Sequence, residues 1–171
     1  MKINISNLSE GTHNYEFEEN PSAIELDERF SKQVIVRVEI EKRRRQLFLT
    51  GHVKTAGTFC CDRCLDDFEK NVDVDYRMTY VYEKPDDGEL EGSPEEGDEI
   101  TVIHESTNEI DIAEDVREYI LLSVPMKLLC RDDCAGLCGN CGANLNRETC
   151  VCPKSDIDPR WEELKKIINK N

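Results

Sequence analysis

Several sequence features are absent or scarce in this chain of 171 residues, and each absence argues against a class of function. No G-x-G-x-x-G, P-loop or G-x-S-x-G pattern occurs, so dinucleotide binding, phosphate binding and serine hydrolysis lack their sequence signatures. The only histidines, His13, His52 and His104, lie far apart, and none is predicted to be a ligand. The sequence therefore predicts no catalytic residues, and we expect a protein that is not an enzyme.

Long hydrophobic runs are also absent. The longest nearly apolar run, residues 119–126, is too short to span a bilayer. Residues 1–5 become polar at once and lack the apolar stretch of a signal peptide. Nine cysteines without an export signal indicate a reducing compartment, where metal-bound thiolates outlast disulfides. We therefore predict a cytoplasmic protein that makes no contact with a membrane.

Positive charge is scarce as well, because 22 Lys and Arg face 37 Asp and Glu, a formal net charge of −15. Residues 83–99 hold nine acidic residues and one lysine, whereas residues 126–171 hold eight basic and seven acidic residues. We interpret residues 84–99 as a solvated acidic loop. Nucleic-acid binders usually carry a basic surface, so this balance disfavours general affinity for a polyanion.

Cysteine is what the chain has in excess, with six in the 23 residues from 130 to 152. Cys138-Gly-Asn-Cys141-Gly has the form of a zinc knuckle, in which one tight turn presents two sulfurs to one ion. The glycine after Cys141 can take the positive φ that this turn needs. Cys150 and Cys152 supply a second pair after a polar loop. The spacing predicts a four-sulfur zinc site from Cys138, Cys141, Cys150 and Cys152.

A second C-x-x-C pair, Cys61 and Cys64, falls between two predicted strands. Such a pair needs two further ligands, and we predict that Cys130 and Cys134 supply them. The chain would then hold one or two zinc ions, the alternative being that these four cysteines are ordinary reduced thiols. Cys60 is left over and is interpreted as a free cysteine.

Two other interpretations use the same cysteines. The spacing Cys134-x3-Cys138-x2-Cys141 matches that of an iron–sulfur cluster in radical enzymes, but those enzymes need a large barrel of alternating strands and helices. A dithiol redox pair is expected at the start of a helix in a strand–helix unit, and neither C-x-x-C pair has that setting. Both interpretations are weaker than zinc binding.

The hydrophobic pattern predicts an α+β fold. Residues 33–41 alternate apolar and polar side chains, as in a half-buried strand, and residues 46–58, 68–83 and 100–104 are predicted to be further strands. We expect an antiparallel sheet or a partly closed barrel with one or two packed helices and a cysteine-rich zinc-binding lobe at the C-terminus.

Two helices are predicted. Residues 112–124 have helical spacing, with Asp111 as a possible cap, and Pro159 begins a final helix with Trp161, Leu164, Ile167 and Ile168 on one apolar face. The domains expected are residues 1–125, β-rich with the acidic loop and the first helix, and residues 126–171, the zinc lobe and the last helix.

The motifs also resemble a known family. The segment Cys61-Asp62-Arg63-Cys64-Leu65, the run G-L-C-x-x-C-G-x-x-L-N that begins at Gly136, and Asp158-Pro159-Arg160 occur in an order similar to that of the YceD-like family. Members are described as large ribosomal RNA subunit accumulation proteins. The resemblance implies a bacterial or plastid protein that supports accumulation of 23S ribosomal RNA, and it supplies no catalytic residues.

Together these observations predict a non-enzymatic zinc-binding factor for large-subunit biogenesis. Its partner would be 23S ribosomal RNA, a large-subunit ribosomal protein or an assembly factor, with no small-molecule substrate. Any RNA contact would use a set of basic residues near the C-terminus: Arg147, Lys154, Arg160, Lys165 and Lys166. The alternatives are an acidic protein-interaction module unrelated to RNA, or a thiol redox protein.

Overall fold

A computed structural model describes residues 1–83 and 99–152. The chain divides into two compact units, the first formed by Met1–Phe59 and Asp67–Leu128 and the second by Cys60–Asp66 and Leu129–Asn171. Apart from residue 99, the predicted acidic loop lies outside the described residues, as does the predicted final helix. Within the described ranges no helix has the length and hydropathy that crossing a membrane requires.

The described residues contain seven strands and one α-helix. In chain order these are β1 Lys2–Asn4, β2 Gly11–Glu19, β3 Val34–Arg43, β4 Gln46–Cys60, β5 Asp67–Tyr82, β6 Glu99–Ile103, β7 Glu109–Asp111 and α1 Ala113–Ser123, with a short 3-10 helix at Pro21–Ile24 between β2 and β3. The strands predicted at 33–41, 46–58, 68–83 and 100–104 correspond to β3, β4, β5 and β6, and the helix predicted at 112–124 corresponds to α1.

Five of the strands form one sheet in the order β2-β3-β4-β5-β6, and β1 pairs with β7 in a separate two-stranded sheet. The alternation of β3 explains its place inside the larger sheet. Val34, Val36, Val38 and Ile40 are buried, while the residues between them face away from the core. Because β3 has a neighbour on each side, its backbone hydrogen bonds are satisfied within the sheet.

The prediction of a partly closed barrel is wrong, whereas the prediction of an antiparallel sheet is confirmed for the pairs β2–β3 and β3–β4. In the described part of the chain the sheet is open, with β2 and β6 at opposite edges, and β6 runs parallel to β5. A parallel neighbour requires a connection of about a dozen residues or more, and residues 83–98 provide one. The alternation of side chains that predicted β6 contains no information about strand direction.

The first unit encloses a hydrophobic core to which β1, β3, β4, β5, β7 and α1 all contribute. The helix places Val116 and Ile120 in this core. The ring of Tyr76 stacks on Tyr119 with centroids 4.9 Å apart. Tyr76 also occupies the space beside Gly51, where a Cβ atom would overlap the ring, so the packing requires glycine at that position.

Candidate metal centre

The second unit contains two groups of four cysteines, and these are the two groups predicted from the spacing. The hairpin quartet consists of Cys61, Cys64, Cys130 and Cys134, and the knuckle quartet of Cys138, Cys141, Cys150 and Cys152. In each quartet all sulfur atoms lie within 4.8 Å of one another. All nine cysteines are free thiols, and Cys60 is exposed and joins neither quartet.

The hairpin quartet has the dimensions of a tetrahedral metal site. The Sγ atoms of Cys61 and Cys134 are 3.8 Å apart, and those of Cys64 and Cys130 are 3.7 Å apart. An ion with metal–sulfur bonds of about 2.3 Å places its four sulfurs about 3.8 Å apart, whereas a disulfide needs about 2.05 Å. The quartet therefore fits a four-coordinate ion and does not fit a disulfide.

A tight turn shapes the first half of the hairpin quartet. Leu65 has a φ of 61°, in the left-handed region, and its N–H donates to the carbonyl oxygen of Cys61 at 2.9 Å. The N–H of Cys61 donates to the carbonyl oxygen of Asp66 at 2.9 Å. This closed turn directs Cys61 and Cys64 toward the same point, as a C-x-x-C ligand pair requires.

Arg63 joins the two halves of this quartet. Its guanidinium donates to the carbonyl oxygen of Cys134 at 2.9 Å, and its own carbonyl oxygen accepts from the N–H of Leu137 at 3.1 Å. Gly136 makes this approach possible, because its φ is +76° and a Cβ there would lie 3.1 Å from the carbonyl oxygen of Arg63. Hydrogen bonds as well as sulfurs therefore connect residues 61–66 to residues 134–137.

The knuckle quartet is more open. Its closest sulfurs are those of Cys138 and Cys150, 3.2 Å apart, and those of Cys141 and Cys150, 3.5 Å apart. Gly142 has a φ of +75°, as predicted for the glycine after Cys141, and its N–H donates to the carbonyl oxygen of Cys138 at 2.9 Å. Cys141 is exposed, whereas Cys152 is half-buried and its N–H donates to the sulfur of Cys150 at 3.3 Å.

One thiol in each quartet is unusually acidic. Burial acts to raise the pKa of Cys61, but hydrogen bonds from three backbone N–H groups outweigh it and bring the pKa to about 6. The backbone N–H groups of Cys141 and Asn140 lower the pKa of Cys138 to about 6. Backbone donors that point at sulfur favour the thiolate, which is the form that binds a metal.

Another thiol in each quartet resists ionisation when no ion is bound. The backbone N–H of Asp66 favours the thiolate of Cys64, but burial and the neighbouring thiols raise its pKa to about 12. The thiols of Cys150 and Cys141 raise the pKa of Cys152 to about 12. Four thiolates repel one another unless a cation lies between them, so a bound metal would reverse these upward shifts.

The donor set restricts what either quartet could hold. Four sulfurs in tetrahedral array suit zinc or iron, and they exclude the hard cations that prefer oxygen ligands. Each of the two quartets could hold one metal ion. A closed four-sulfur site of this kind is typical of a structural metal, because no coordination position remains open for a reactant.

Among the basic residues predicted to contact RNA, the structure describes Arg147. Its side chain is 70% exposed and forms an ion pair with Asp66 at 3.0 Å. Lys154, Arg160, Lys165 and Lys166 lie outside the described residues.

The sequence prediction did not identify Asn146, whose side chain contacts a sulfur of the hairpin quartet. Asn146 donates from its side-chain nitrogen to the sulfur of Cys134 at 3.3 Å. Its place at the end of the G-L-C-x-x-C-G-x-x-L-N run was the signal that could have identified it. The spacing of the cysteines gives no indication of this contact, because Asn146 lies 12 residues after Cys134 in the loop between Cys141 and Cys150.

Comparison with known proteins gives a consistent picture. The sequence model of a family described as large ribosomal RNA subunit accumulation protein YceD matches residues 49–168. The chain is 26% identical over 151 residues to the large ribosomal RNA subunit accumulation protein YCED homolog 1, chloroplastic, of Arabidopsis thaliana, covering 77% of this chain and 47% of that protein. It is 28% identical over 146 residues to the protein of the same name from Zea mays, covering 72% and 50%.

A bacterial relative is also similar. The uncharacterized protein Rv2926c of Mycobacterium tuberculosis is 30% identical over 131 residues, covering 77% of this chain and 60% of that protein. The chain therefore spans about half of each plant relative and somewhat more of the bacterial one. No solved structure matches the chain significantly. Because the plant relatives are named chloroplastic, the cytoplasmic location stays a prediction.

Proposed function

Since this chain belongs to the YceD family of large ribosomal RNA subunit accumulation proteins, we propose that it is a non-enzymatic zinc-binding factor that supports accumulation of 23S ribosomal RNA. The family match carries the link to the large subunit, because it covers residues 49–168 and includes both cysteine quartets. The quartets supply the physical basis for the rest of the proposal.

Zinc is the metal that we propose for both quartets. The sulfur–sulfur distances of 3.8 and 3.7 Å in the hairpin quartet agree with the tetrahedral value of about 3.8 Å expected for zinc thiolates. Zinc has no redox chemistry and no preferred geometry of its own, so it suits a site whose purpose is to hold loops together. Bound zinc would contribute on the order of 10 kcal/mol to the folding of the second unit.

The proposed role is binding rather than catalysis. With four thiolates on each ion, neither metal would keep an open position for water or substrate, as a catalytic zinc does. The exposed thiol of Cys60 and the acidic thiols of Cys61 and Cys138 are features that favour the redox alternative. Zinc bound to the quartets would withdraw Cys61 and Cys138 from that chemistry.

We favour a basic protein of the large subunit, a ribosomal protein or an assembly factor, as the direct partner. The arginines that the structure describes in the second unit already have partners there: Arg63 donates to the carbonyl oxygen of Cys134, Arg131 to the side chain of Asn146, and Arg147 pairs with Asp66. A divalent ion with four thiolates also leaves each centre with a net charge of roughly −2. Phosphate binding would gain little from such a surface.

Depletion of the protein tests the link to the large subunit. We expect depletion to lower the amount of 23S relative to 16S ribosomal RNA, and the wild-type chain to restore the ratio. A variant with Cys61→Ser and Cys141→Ser should fail to restore it, because both quartets would be opened. An unchanged ratio together with a thiol-oxidation phenotype would replace the assembly role by the redox alternative.

Affinity capture with and without RNase tests the class of partner. We expect large-subunit proteins to remain bound after RNase, and to be lost when the exposed residues Asp132 and Glu148 are changed to Lys. Zinc content should be unchanged in that variant. RNA contact would instead show as capture that RNase abolishes and that Arg160→Glu, Lys165→Glu and Lys166→Glu weaken. Deleting residues 86–98 serves as the control, since we predict that this acidic loop is a spacer.

A further inference from the structure

We infer that Asn146 is a positioning residue that couples the two quartets, so that metal in the knuckle quartet strengthens metal binding in the hairpin quartet. Asn146 lies in the loop between Cys141 and Cys150, two ligands of the knuckle quartet. Its side chain nevertheless donates to the sulfur of Cys134, a ligand of the hairpin quartet, at 3.3 Å. The inference rests on the proposed metal binding and adds a link between the sites.

The orientation of the Asn146 amide follows from its neighbours. Its Oδ1 atom accepts from the backbone N–H of Ala135 at 2.8 Å and from the guanidinium of Arg131 at 2.6 Å. Its Nδ2 atom donates to the sulfur of Cys134 and to the Oδ1 atom of Asn144 at 2.9 Å. A flipped amide would set its nitrogen against two donors, so the N–H must face the sulfur.

The geometry of the knuckle determines where Asn146 lies. The N–H of Cys138 donates to the carbonyl oxygen of Ala143 at 2.8 Å, and the N–H of Leu145 donates to the carbonyl oxygen of Gly136 at 2.9 Å. Leu137 and Asn144 form an isolated antiparallel bridge between these bonds. Residues 136–138 and 143–145 therefore form a short antiparallel pair within the knuckle quartet, and Asn146 follows directly after it.

Asn144 fixes this antiparallel pair to the turn that contains Cys61 and Cys64. Its side-chain nitrogen donates to Asp66 at 2.9 Å, and its Oδ1 atom accepts from the backbone N–H of Asn146 at 3.0 Å. Both asparagines thus hold the loop of the knuckle quartet against residues of the hairpin quartet. The described part of the second unit has little apolar packing to do this in their place.

Coupling between the sites follows from this arrangement. A metal in the knuckle quartet would hold the ends of the loop, and the ordered loop would present the Asn146 N–H to the thiolate of Cys134. Hydrogen-bond partners of metal ligands typically change metal affinity by about 10-fold to 100-fold. Because coupling between two binding sites is reciprocal, metal in the hairpin quartet would strengthen the knuckle quartet by the same factor.

The sharpest variant is Asn146→Asp, which keeps the oxygen facing Ala135 and Arg131 and replaces the N–H facing sulfur by an oxygen. Zinc affinity is measured by competition with a chromophoric chelator on the full chain. We expect the hairpin quartet to lose at least about 10-fold in affinity. Glu148→Gln is the control, since Glu148 is an exposed side chain of the same loop, and it should change the affinity less than about twofold.

Variants that keep one quartet separate the two sites. The Cys141→Ser, Cys150→Ser variant keeps the hairpin quartet, and we expect its zinc affinity to be at least about 10-fold below that of the same quartet in the wild-type chain. In this background Asn146→Asp should have a smaller effect, because the loop that places the amide is no longer held. The Cys61→Ser, Cys64→Ser variant keeps the knuckle quartet, whose affinity Asn146→Asp should leave unchanged.

The inference fails if Asn146→Asp alters neither affinity, or if opening the knuckle quartet leaves the hairpin quartet at full affinity. Asn146→Ala provides a second variant, with circular dichroism of the first unit's strands as the check on folding. If the wild-type chain itself binds no zinc, the proposed function fails instead. A wild-type chain that binds zinc at two independent sites would overturn the coupling alone.

Discussion

The two units of this protein are stabilised in different ways. Among the described residues, the hydrophobic core lies in the first unit, where strands and α1 bury side chains such as Phe59, Ile40 and Ile120. In the described part of the second unit, the buried side chains are those of Cys61, Cys64 and Cys134. We therefore expect the first unit to depend on removal of apolar surface from water, and the second to depend on the metal that we propose its sulfurs bind.

We expect the stability of the second unit, but not that of the first, to depend on bound metal. Burial of apolar side chains stabilises the first unit whether or not metal is present. The second unit has eight thiols close together, and without a cation their ionised forms repel one another. We therefore expect metal removal and ligand substitutions to affect the second unit, and core substitutions to affect the first.

Metal removal should have the largest effect. A strong chelator should unfold the second unit, with a loss of roughly 10 kcal/mol of folding free energy there, and leave the first unit folded. Hydrogen exchange measured by mass spectrometry would show faster exchange of the amides of residues 134–150 and unchanged exchange in β3 and β4. Adding zinc back should restore protection, and equal loss of protection in both units would contradict the comparison.

Replacing one ligand should open one site. Cys61→Ser should remove about one equivalent of zinc, and adding Cys130→Ser should remove no more, because both changes open the hairpin quartet. Cys60→Ser is the matched control, since Cys60 is the exposed neighbour of Cys61 and joins neither quartet. Full zinc content in Cys61→Ser, measured by elemental analysis, would show that the hairpin quartet binds no metal.

A core substitution should affect the first unit. Gly51→Ala places a methyl group inside the ring of Tyr76 and should lower the free energy of unfolding of the first unit by about 1–3 kcal/mol. Zinc content should not change. Thr50→Ala, at the exposed neighbouring position of β4, should cost less than about 0.5 kcal/mol by denaturant unfolding. A loss of zinc in Gly51→Ala would show that the two units are not independent.

The last prediction concerns the effect of mild acid on zinc affinity. At pH 7 the thiols with a pKa of about 6, Cys61 and Cys138, are ionised, whereas Cys64 and Cys152 with a pKa of about 12 are protonated. Zinc binding therefore displaces protons, and affinity should fall as the pH falls. Below pH 6 the decline should steepen, since Cys61 and Cys138 then take up protons as well. Titration at several pH values would measure both slopes.

Much of the first unit could be predicted because its strands alternate clearly. The pattern of β3 and β5 fixes which side chains face the core, and the helical spacing of Val116 and Ile120 identifies α1. Which strands become neighbours, and in which direction, depends on contacts between residues far apart in the sequence. The parallel pairing of β5 with β6 and the open sheet therefore went unpredicted.

The membership of both quartets was predictable because metal-ligand spacing is short and local for one half of each site. The C-x-x-C pairs that begin at Cys61 and Cys138 are recognisable in the sequence. A tetrahedral ion at each pair requires two more sulfur ligands. Asn146 was not predictable in this way, because its hydrogen bond to Cys134 depends on the three-dimensional course of the knuckle loop.

Native mass spectrometry of the full chain, expressed without added metal, is the sharpest test of zinc binding by both quartets. It measures how many ions, and of what mass, remain bound to each intact molecule. We predict about two zinc ions per chain, one for each quartet, and about one in a Cys61→Ser variant. A chain that contains iron and inorganic sulfide, or that has no metal and shows disulfides among the eight cysteines, would contradict it.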